Sequence, residues 1–204
     1  MTLVDNKVSL ITGAGSGIGK ATAIAFANDG AQVICADLNF EAAQKTAANI
    51  TQSGGTSLAL QVDVSDYTAA HKAVTDAVEY FGRLDVLCNI AGIGTLKHDK
   101  NETPELWHKI ISVNLTGTFY MSQHALPHLL ASKGNIVNCS SRAGTSATPW
   151  SAAYSASKGG VCMTNHDAVN RRQCTSTVST TDDCTKKFSN NPHADGVCLS
   201  LIHI

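Results

Sequence analysis

Nowhere in the 204 residues does an apolar run approach the roughly 18 positions that a membrane span needs. Residues 1–13 pass from a short polar start straight into a strand-like run, without the basic stretch, long apolar segment and cleavage site of a secretory leader. No run of Lys and Arg occurs either: 15 basic residues stand against 16 acidic ones, for a net charge of -1. A polyanion-binding face is therefore not expected, and neither nucleic acid nor membrane is a predicted partner. A cytoplasmic, soluble protein is the expectation. The seven cysteines contain no CxxC spacing, and Cys35, Cys88 and Cys139 each lie inside an apolar, strand-like run. A free thiol there behaves as a small buried hydrophobe in a reduced compartment, not as a metal or redox group. His98, His108, His124 and His128 show no ligand spacing joined to a carboxylate or cysteine, so no metal site is predicted.

What is present is an alternation. Apolar runs of strand length fall at residues 8–12, 32–36, 57–62, 86–90 and 135–140, and segments with helical periodicity at 18–28, 40–53, 65–81 and 104–132. The strands are apolar throughout, as parallel strands covered on both faces are. Such alternation predicts an α/β fold, a Rossmann-like doubly wound parallel sheet with right-handed crossovers. Gly30, Gly54-Gly55 and Gly82 punctuate the helix ends, and Thr103-Pro104 reads as N-cap plus N1 proline. The length suits one domain.

After about residue 164 this grammar stops. Residues 165–204 are rich in Ser, Thr, Asn and Asp, with no sustained apolar period and no repeat of the preceding chain. The expected division is the α/β unit over 1–164, truncated after the fifth strand and the helix that follows it, and an irregular tail over 165–204 foreign to the fold. A frameshift or misassembly near codon 165 is the implied origin, and the fifth strand is expected to keep an unpaired apolar edge.

The first strand runs into Gly13-Ala14-Gly15-Ser16-Gly17-Ile18-Gly19 and directly into a helix. Glycines there permit a tight turn and close backbone approach to a pyrophosphate, whose charge sits on the amides and positive end of the helix. Asp37 follows 18 residues beyond Gly19, at the end of the second strand. Its carboxylate can accept from both adenosine ribose hydroxyls and would repel a 2′-phosphate, so NAD is the implied cofactor. Asp63-Val64 and Asn89-Ile90-Ala91-Gly92 end the third and fourth strands on the carboxyl edge where ligands of open α/β sheets bind; Asp63 could equally cap a helix. Candidate cofactor contacts are Gly13, Ser16, Gly17, Ile18, Gly19, Asp37, Asp63, Val64, Asn89, Ala91 and Gly92.

Tyr154 and Lys158 stand four apart in Tyr-Ser-Ala-Ser-Lys, sharing one helix face, and Ser141 closes the fifth strand on the same edge. A tyrosine hydroxyl can supply the proton that a carbonyl needs when it takes a hydride. Running the reverse reaction near neutrality requires its pKa, ordinarily about 10, to fall by roughly 2–3 units, and the Lys158 ammonium is one expected cause. The set Thr12-Gly13-x-x-x-Gly17-x-Gly19, Asp63, Asn89-x-Ala91-Gly92, Asn114, Ser141 and Tyr154-x-x-x-Lys158 resembles the short-chain dehydrogenases/reductases over residues 3–164. Ile90 departs from the family, which commonly has a second asparagine there. The resemblance implies Tyr154 as general acid/base, Lys158 as its modulator and a ribose contact, Ser141 as the substrate anchor, and Asn114 as the residue tying Lys158 into a proton relay. It also implies a small alcohol or carbonyl substrate and a homodimer or homotetramer. Arg142, Trp150 and Ile93-Gly94 flank the expected substrate space, where loop or packing roles serve equally well. The competing readings are a non-catalytic dinucleotide-binding protein and an inactive truncated fragment.

Overall fold

A computed structural model describes residues 2–94, 102–146 and 151–164, together with the backbone of residues 177–179 and 197–203. Its elements are β1 (Val8–Thr12), α1 (Gly17–Asn28), β2 (Gln32–Asp37), α2 (Phe40–Gln52), β3 (Thr56–Gln61), α3 (Tyr67–Phe81), β4 (Val86–Asn89), α4 (Pro104–Ile111), α5 (Gly117–Ser132), β5 (Asn135–Ser141), α6 (Ala152–Thr164), β6 (Thr177–Ser179) and β7 (Val197–His203). The sheet order is β3-β2-β1-β4-β5-β7-β6, and the pairings among the first five strands are parallel. This is the doubly wound order, in which β1 and β4 lie side by side and open a crevice at their carboxyl ends.

Alternation along the buried strands divides the core in two. Val8 and Leu10 face one side with Ile34, Leu87 and Ile136, where Ala70, Val74 and Ala77 of α3 and Met121, Ala125 and Leu129 of α5 cover them. Ile11 faces the other with Val33, Cys35 and Cys88, under Ala23 of α1 and Ala43, Ala47 and Ile50 of α2. Alanine on the helix faces lets the helices lie close to the sheet. Leu10 and Ile11 are fully buried, so truncating either to alanine should cost about 2–5 kcal/mol.

At the amino edge, opposite the crevice, Asp85 ties three strands together. Its Oδ2 accepts the Val8 N–H at 3.0 Å and the Arg83 Nε–H at 2.8 Å, while its own carbonyl accepts the Asn135 N–H at 2.8 Å. The loop endings behave as the punctuation predicts. Gly82 closes α3 at φ 76°, in the left-handed region, and Thr103 Oγ1 accepts the Leu106 N–H ahead of Pro104.

Two features differ from the sequence expectations. The helical stretch 104–132 is broken by a π-helical turn at Ser112–Thr116 between α4 and α5. The inserted residue brings Asn114 inward to full burial. Immediately after the turn, Gly117 passes so close to Val64 that a Cβ would stand 2.7 Å from Val64 Cγ2. The second difference is at the sheet edge. Rather than staying unpaired, β5 carries β7 along its whole length, from Asn135↔His203 to Ser141↔Val197, and β7 pairs β6; both pairings are antiparallel. An open row of backbone donors and acceptors templates any extended segment that can reach it.

Candidate active site

The crevice begins where β1 ends. Thr12 Oγ1, buried, donates to the Cys88 carbonyl at 3.3 Å and accepts the N–H groups of Ile90 and Ala91 at 3.0 and 3.1 Å, locking the exits of β1 and β4 together. Gly13 then turns at φ 70°, and a Cβ there would stand 3.0 Å from Ala91 Cα. At Gly19 a Cβ would overlap the Gly13 carbonyl oxygen at 2.1 Å. Gly17 adopts φ 52° with open space where a side chain would be. Ser16, the N-cap of α1, makes no side-chain capping bond. The first-turn amides of α1 are therefore not capped by Ser16, and amides at a helix start are the donor set that suits a diphosphate.

Asp37 is fixed by its neighbours. Oδ2 accepts the Gly15 N–H at 2.8 Å and Oδ1 the Asn39 N–H at 2.9 Å. A carboxylate has about four lone-pair sites, so acceptor capacity remains on both oxygens. Asp63 is exposed, and its Oδ1 accepts from the Ser65 N–H and hydroxyl. The cap of α3 is Asp66 instead. Val64 turns its side chain into the core, which leaves only its backbone for a ligand. Asn89 is likewise buried: Nδ2 donates to Ser122 Oγ at 2.9 Å and Asn138 Oδ1 at 2.8 Å, bracing β4 against α5 and β5. Ser16 and Ile18 lie exposed beside the loop.

The other half of the crevice is built by β5, the π turn and α6. Asn114 Oδ1 accepts the Ile93 N–H at 2.8 Å, and Nδ2 donates to the Ile93 carbonyl at 2.8 Å and to Ser157 Oγ at 3.1 Å. Lys158, 4% exposed, donates from Nζ to the Cys139 carbonyl at 2.7 Å and lies 5.8 Å from the Tyr154 ring centroid. Gly92 is next to both groups, since a Cβ there would stand 3.2 Å from Asn114 Oδ1 and 3.5 Å from Nζ. Gly144, in the 3-10 turn Arg142–Gly144, comes equally close to α6 at Lys158 and Gly159. Ser141 hydrogen-bonds the Tyr154 side chain.

Burial pushes the Tyr154 phenol above its ordinary range, outweighing the Ser141 hydrogen bond that lowers it, and the Cys139 thiol adds to the rise. Burial also pulls the Lys158 ammonium down. The depression of Tyr154 by Lys158 that the sequence led us to expect is thus not a property of the protein by itself. Nζ is engaged by a carbonyl, and desolvation of the phenol dominates. Buried thiols flank the site: burial pushes Cys88 up to about 12 and raises Cys139.

The structure therefore brings Asn114, Ser141, Tyr154, Lys158 and Gly92 into one cluster, and Gly13, Ala91, Gly15 and Asp37 into another, along one sheet edge. Gly94 backs the Tyr154 ring, with a would-be Cβ 3.4 Å from Cδ2, and Arg142 is exposed just beyond Ser141. His98 and Trp150 lie outside the described residues. Sequence reasoning gave no separate role to Ser157, Ser122, Asn138 or the Thr12 hydroxyl, because their partners are remote in the chain.

Residues 7–176 match the family model described as short chain dehydrogenase. The chain belongs to this family. It is 41% identical to meso-2,3-butanediol dehydrogenase of Serratia marcescens over 157 residues, 77% of this chain and 62% of that protein. With D-threitol dehydrogenase of Mycolicibacterium smegmatis it shares 40% over 159 residues, 78% of this chain and 61% of the relative. The crystal structure of a short chain dehydrogenase from Mycobacterium avium superposes with a TM-score of 0.78 at 35% identity, covering 82% of this chain and 63% of that one. The chain thus spans about three-fifths of the length of the curated relatives it matches. Both of those relatives are named as dehydrogenases. Among the described residues, no helix is long and apolar enough to cross a membrane.

Proposed function

We propose that this chain carries the NAD-dependent alcohol/carbonyl oxidoreductase site of its family. The observation that supports this best is the convergence on one sheet edge of the Tyr154 phenol, hydrogen-bonded to Ser141, with the buried Lys158 ammonium on the same helix. A bound nicotinamide ring would supply the hydride and, when oxidised, a positive charge. In reduction the Tyr154 hydroxyl donates its proton to the substrate oxygen as the carbonyl carbon takes the hydride; in oxidation it withdraws that proton. Ser141 holds the substrate oxygen. Lys158 would hold a ribose hydroxyl of a bound cofactor and, together with the positive charge of the oxidised ring, would favour the Tyr154 phenolate. Asn114, clamped on Ile93, links Lys158 to the proton relay. Gly13, Ser16, Gly17, Ile18 and Gly19 would receive the diphosphate, Asp37 the adenosine ribose, and Asp63, Val64, Asn89, Ala91 and Gly92 would line the rest. The site is read as cytoplasmic, in a homodimer or homotetramer.

Two relatives are named for 2,3-butanediol and threitol, both of which carry hydroxyls on adjacent carbons, so small vicinal diols and polyols and their ketols are the first substrates to assay. The test is a thermal-shift titration with NADH followed by NAD reduction over an alcohol panel. Binding with turnover supports the enzyme, binding alone a non-catalytic dinucleotide protein, and neither an inactive fragment. One observation favours the fragment: β5 is paired by the antiparallel β7 where the doubly wound fold has a parallel sixth strand. We accordingly keep residues 1–164 as the site-bearing unit and 165–204 as foreign to it. The gene read across codon 165 from its source tests that division.

A further inference from the structure

The first turn of a helix presents N–H groups with no intrahelical partner. In α6, which carries Tyr154 and Lys158, the Ser155 N–H goes to the Ser151 carbonyl at 2.8 Å. The Ala153 N–H goes elsewhere, to Glu102, with both carboxylate oxygens 3.3 Å from the nitrogen. Glu102 precedes Thr103, whose Oγ1 accepts the Leu106 N–H at 3.3 Å and whose carbonyl accepts the Trp107 N–H at 2.9 Å. With Pro104 at N1 of α4, the carboxylate stands on a well-defined helix start, and negative charge is favourable where it lies, at the positive end of α6.

Ala153 is fully buried and immediately precedes Tyr154. Around that tyrosine, Gly94 backs the ring and Ser157 Oγ donates to the Tyr154 carbonyl at 2.7 Å. Glu102 supplies the hold on the preceding peptide. We propose that Glu102 is a positioning residue for Tyr154: by accepting the Ala153 N–H it fixes the first turn of α6 relative to α4, and so fixes where the phenol points. The inference rests on the Tyr154 reading above but does not need turnover to be tested.

Three full-length proteins decide it: the parent, Glu102→Gln, which keeps an acceptor of the same reach, and Glu102→Ala. Glu102→Ser takes the place of the alanine variant if that one does not fold. The readouts are hydrogen exchange of the Ala153 amide and the ring-carbon NMR signal of Tyr154 in 13C-tyrosine protein, identified by its loss in Tyr154→Phe. Glu102→Ala should exchange Ala153 roughly 10-fold faster and move the Tyr154 signal, while Glu102→Gln stays within about 3-fold and leaves the signal in place. With a turned-over substrate, Glu102→Ala should lower kcat about 10-fold with KM for NADH unchanged, and glutamine should restore most of it. Unchanged exchange and ring signal in Glu102→Ala, or glutamine no better than alanine, overturns the proposal. A parent that binds NADH without turnover defeats the dehydrogenase reading alone, since exchange and ring signal still decide the role of Glu102.

Discussion

Replacing Asp37 by asparagine tests the cofactor preference, because it removes one charge and little volume. In the parent, the Gly15 and Asn39 N–H groups hold the carboxylate at 2.8 and 2.9 Å, so it cannot swing away from a ligand. A 2′-phosphate of NADPH, carrying about -1.5 to -2 charges, would be repelled by it. The residue is half-buried, and for a separation of about 5 Å at an effective dielectric constant of about 40 the repulsion is about 2.5–3.3 kcal/mol. That is about 70- to 260-fold in affinity, reduced to about 10- to 20-fold by screening at 0.15 M salt, where the Debye length is about 8 Å. Isothermal titration of NADH and NADPH at low and physiological salt should therefore show a parent preference for NADH that shrinks as salt rises. In Asp37→Asn the gap should close to within about 3-fold and lose its salt dependence, with NADH itself weakened by the lost ribose acceptor. Tighter NADPH binding by the parent, or a gap that survives in Asp37→Asn at a matched melting temperature, refutes the reasoning.

Tyr154→Phe should lower kcat by about 10²- to 10⁴-fold while the Kd for NADH stays within about 2-fold, measured by stopped-flow turnover and titration. Lys158→Met should abolish turnover yet raise the melting temperature near pH 7. Burial holds the folded-state pKa of Lys158 below its unfolded value, so charging it opposes folding. The parent's stability should then rise with pH as the folded pKa is passed, and the methionine variant should lack that rise in calorimetric scans between pH 7 and 10. Asp85 behaves in the opposite sense. Burial disfavours its charge, but the Arg83 hydrogen bond, the Val8 N–H and the charges of Arg83 and Lys7 together hold its pKa below the ordinary range. Its contribution is present above the unfolded pKa of about 4 and disappears as pH falls through the folded value. Asp85→Asn should cost about 1–3 kcal/mol in urea unfolding at pH 7 and flatten the acid limb.

The conformation of the glycine loop and the strand grammar were readable because their causes are local. A positive φ at Gly13 and Gly17, apolar strands such as 8–12, and Pro104 behind a threonine cap leave their mark at the residues that need them. The pairing of Tyr154 with Lys158 was readable for the same reason, as one helix turn separates them. Less legible was the helix 104–132, where no local residue announces the π turn. Its stability comes from Asn114 reaching Ile93 on another segment and from Gly117 meeting Val64. The raised pKa of Tyr154 was likewise hidden, since sequence supplies the neighbouring ammonium but not the burial, which outweighs the Ser141 hydrogen bond.

What the sequence alone determines is five parallel strands, their helices, and a carboxyl edge bearing glycines, Asp37, Ser141, Tyr154 and Lys158. Each follows from periodicity or spacing within a few residues. Only the tertiary structure decides the partners that make this edge a site. The Thr12 hydroxyl joins β1 to β4, Ser157 receives Asn114, Glu102 meets α6 across 51 residues, and β7 covers β5. Those contacts depend on which backbones the packed core brings within about 3 Å of each other, and hydrogen bonds between remote residues leave no periodic trace along the chain.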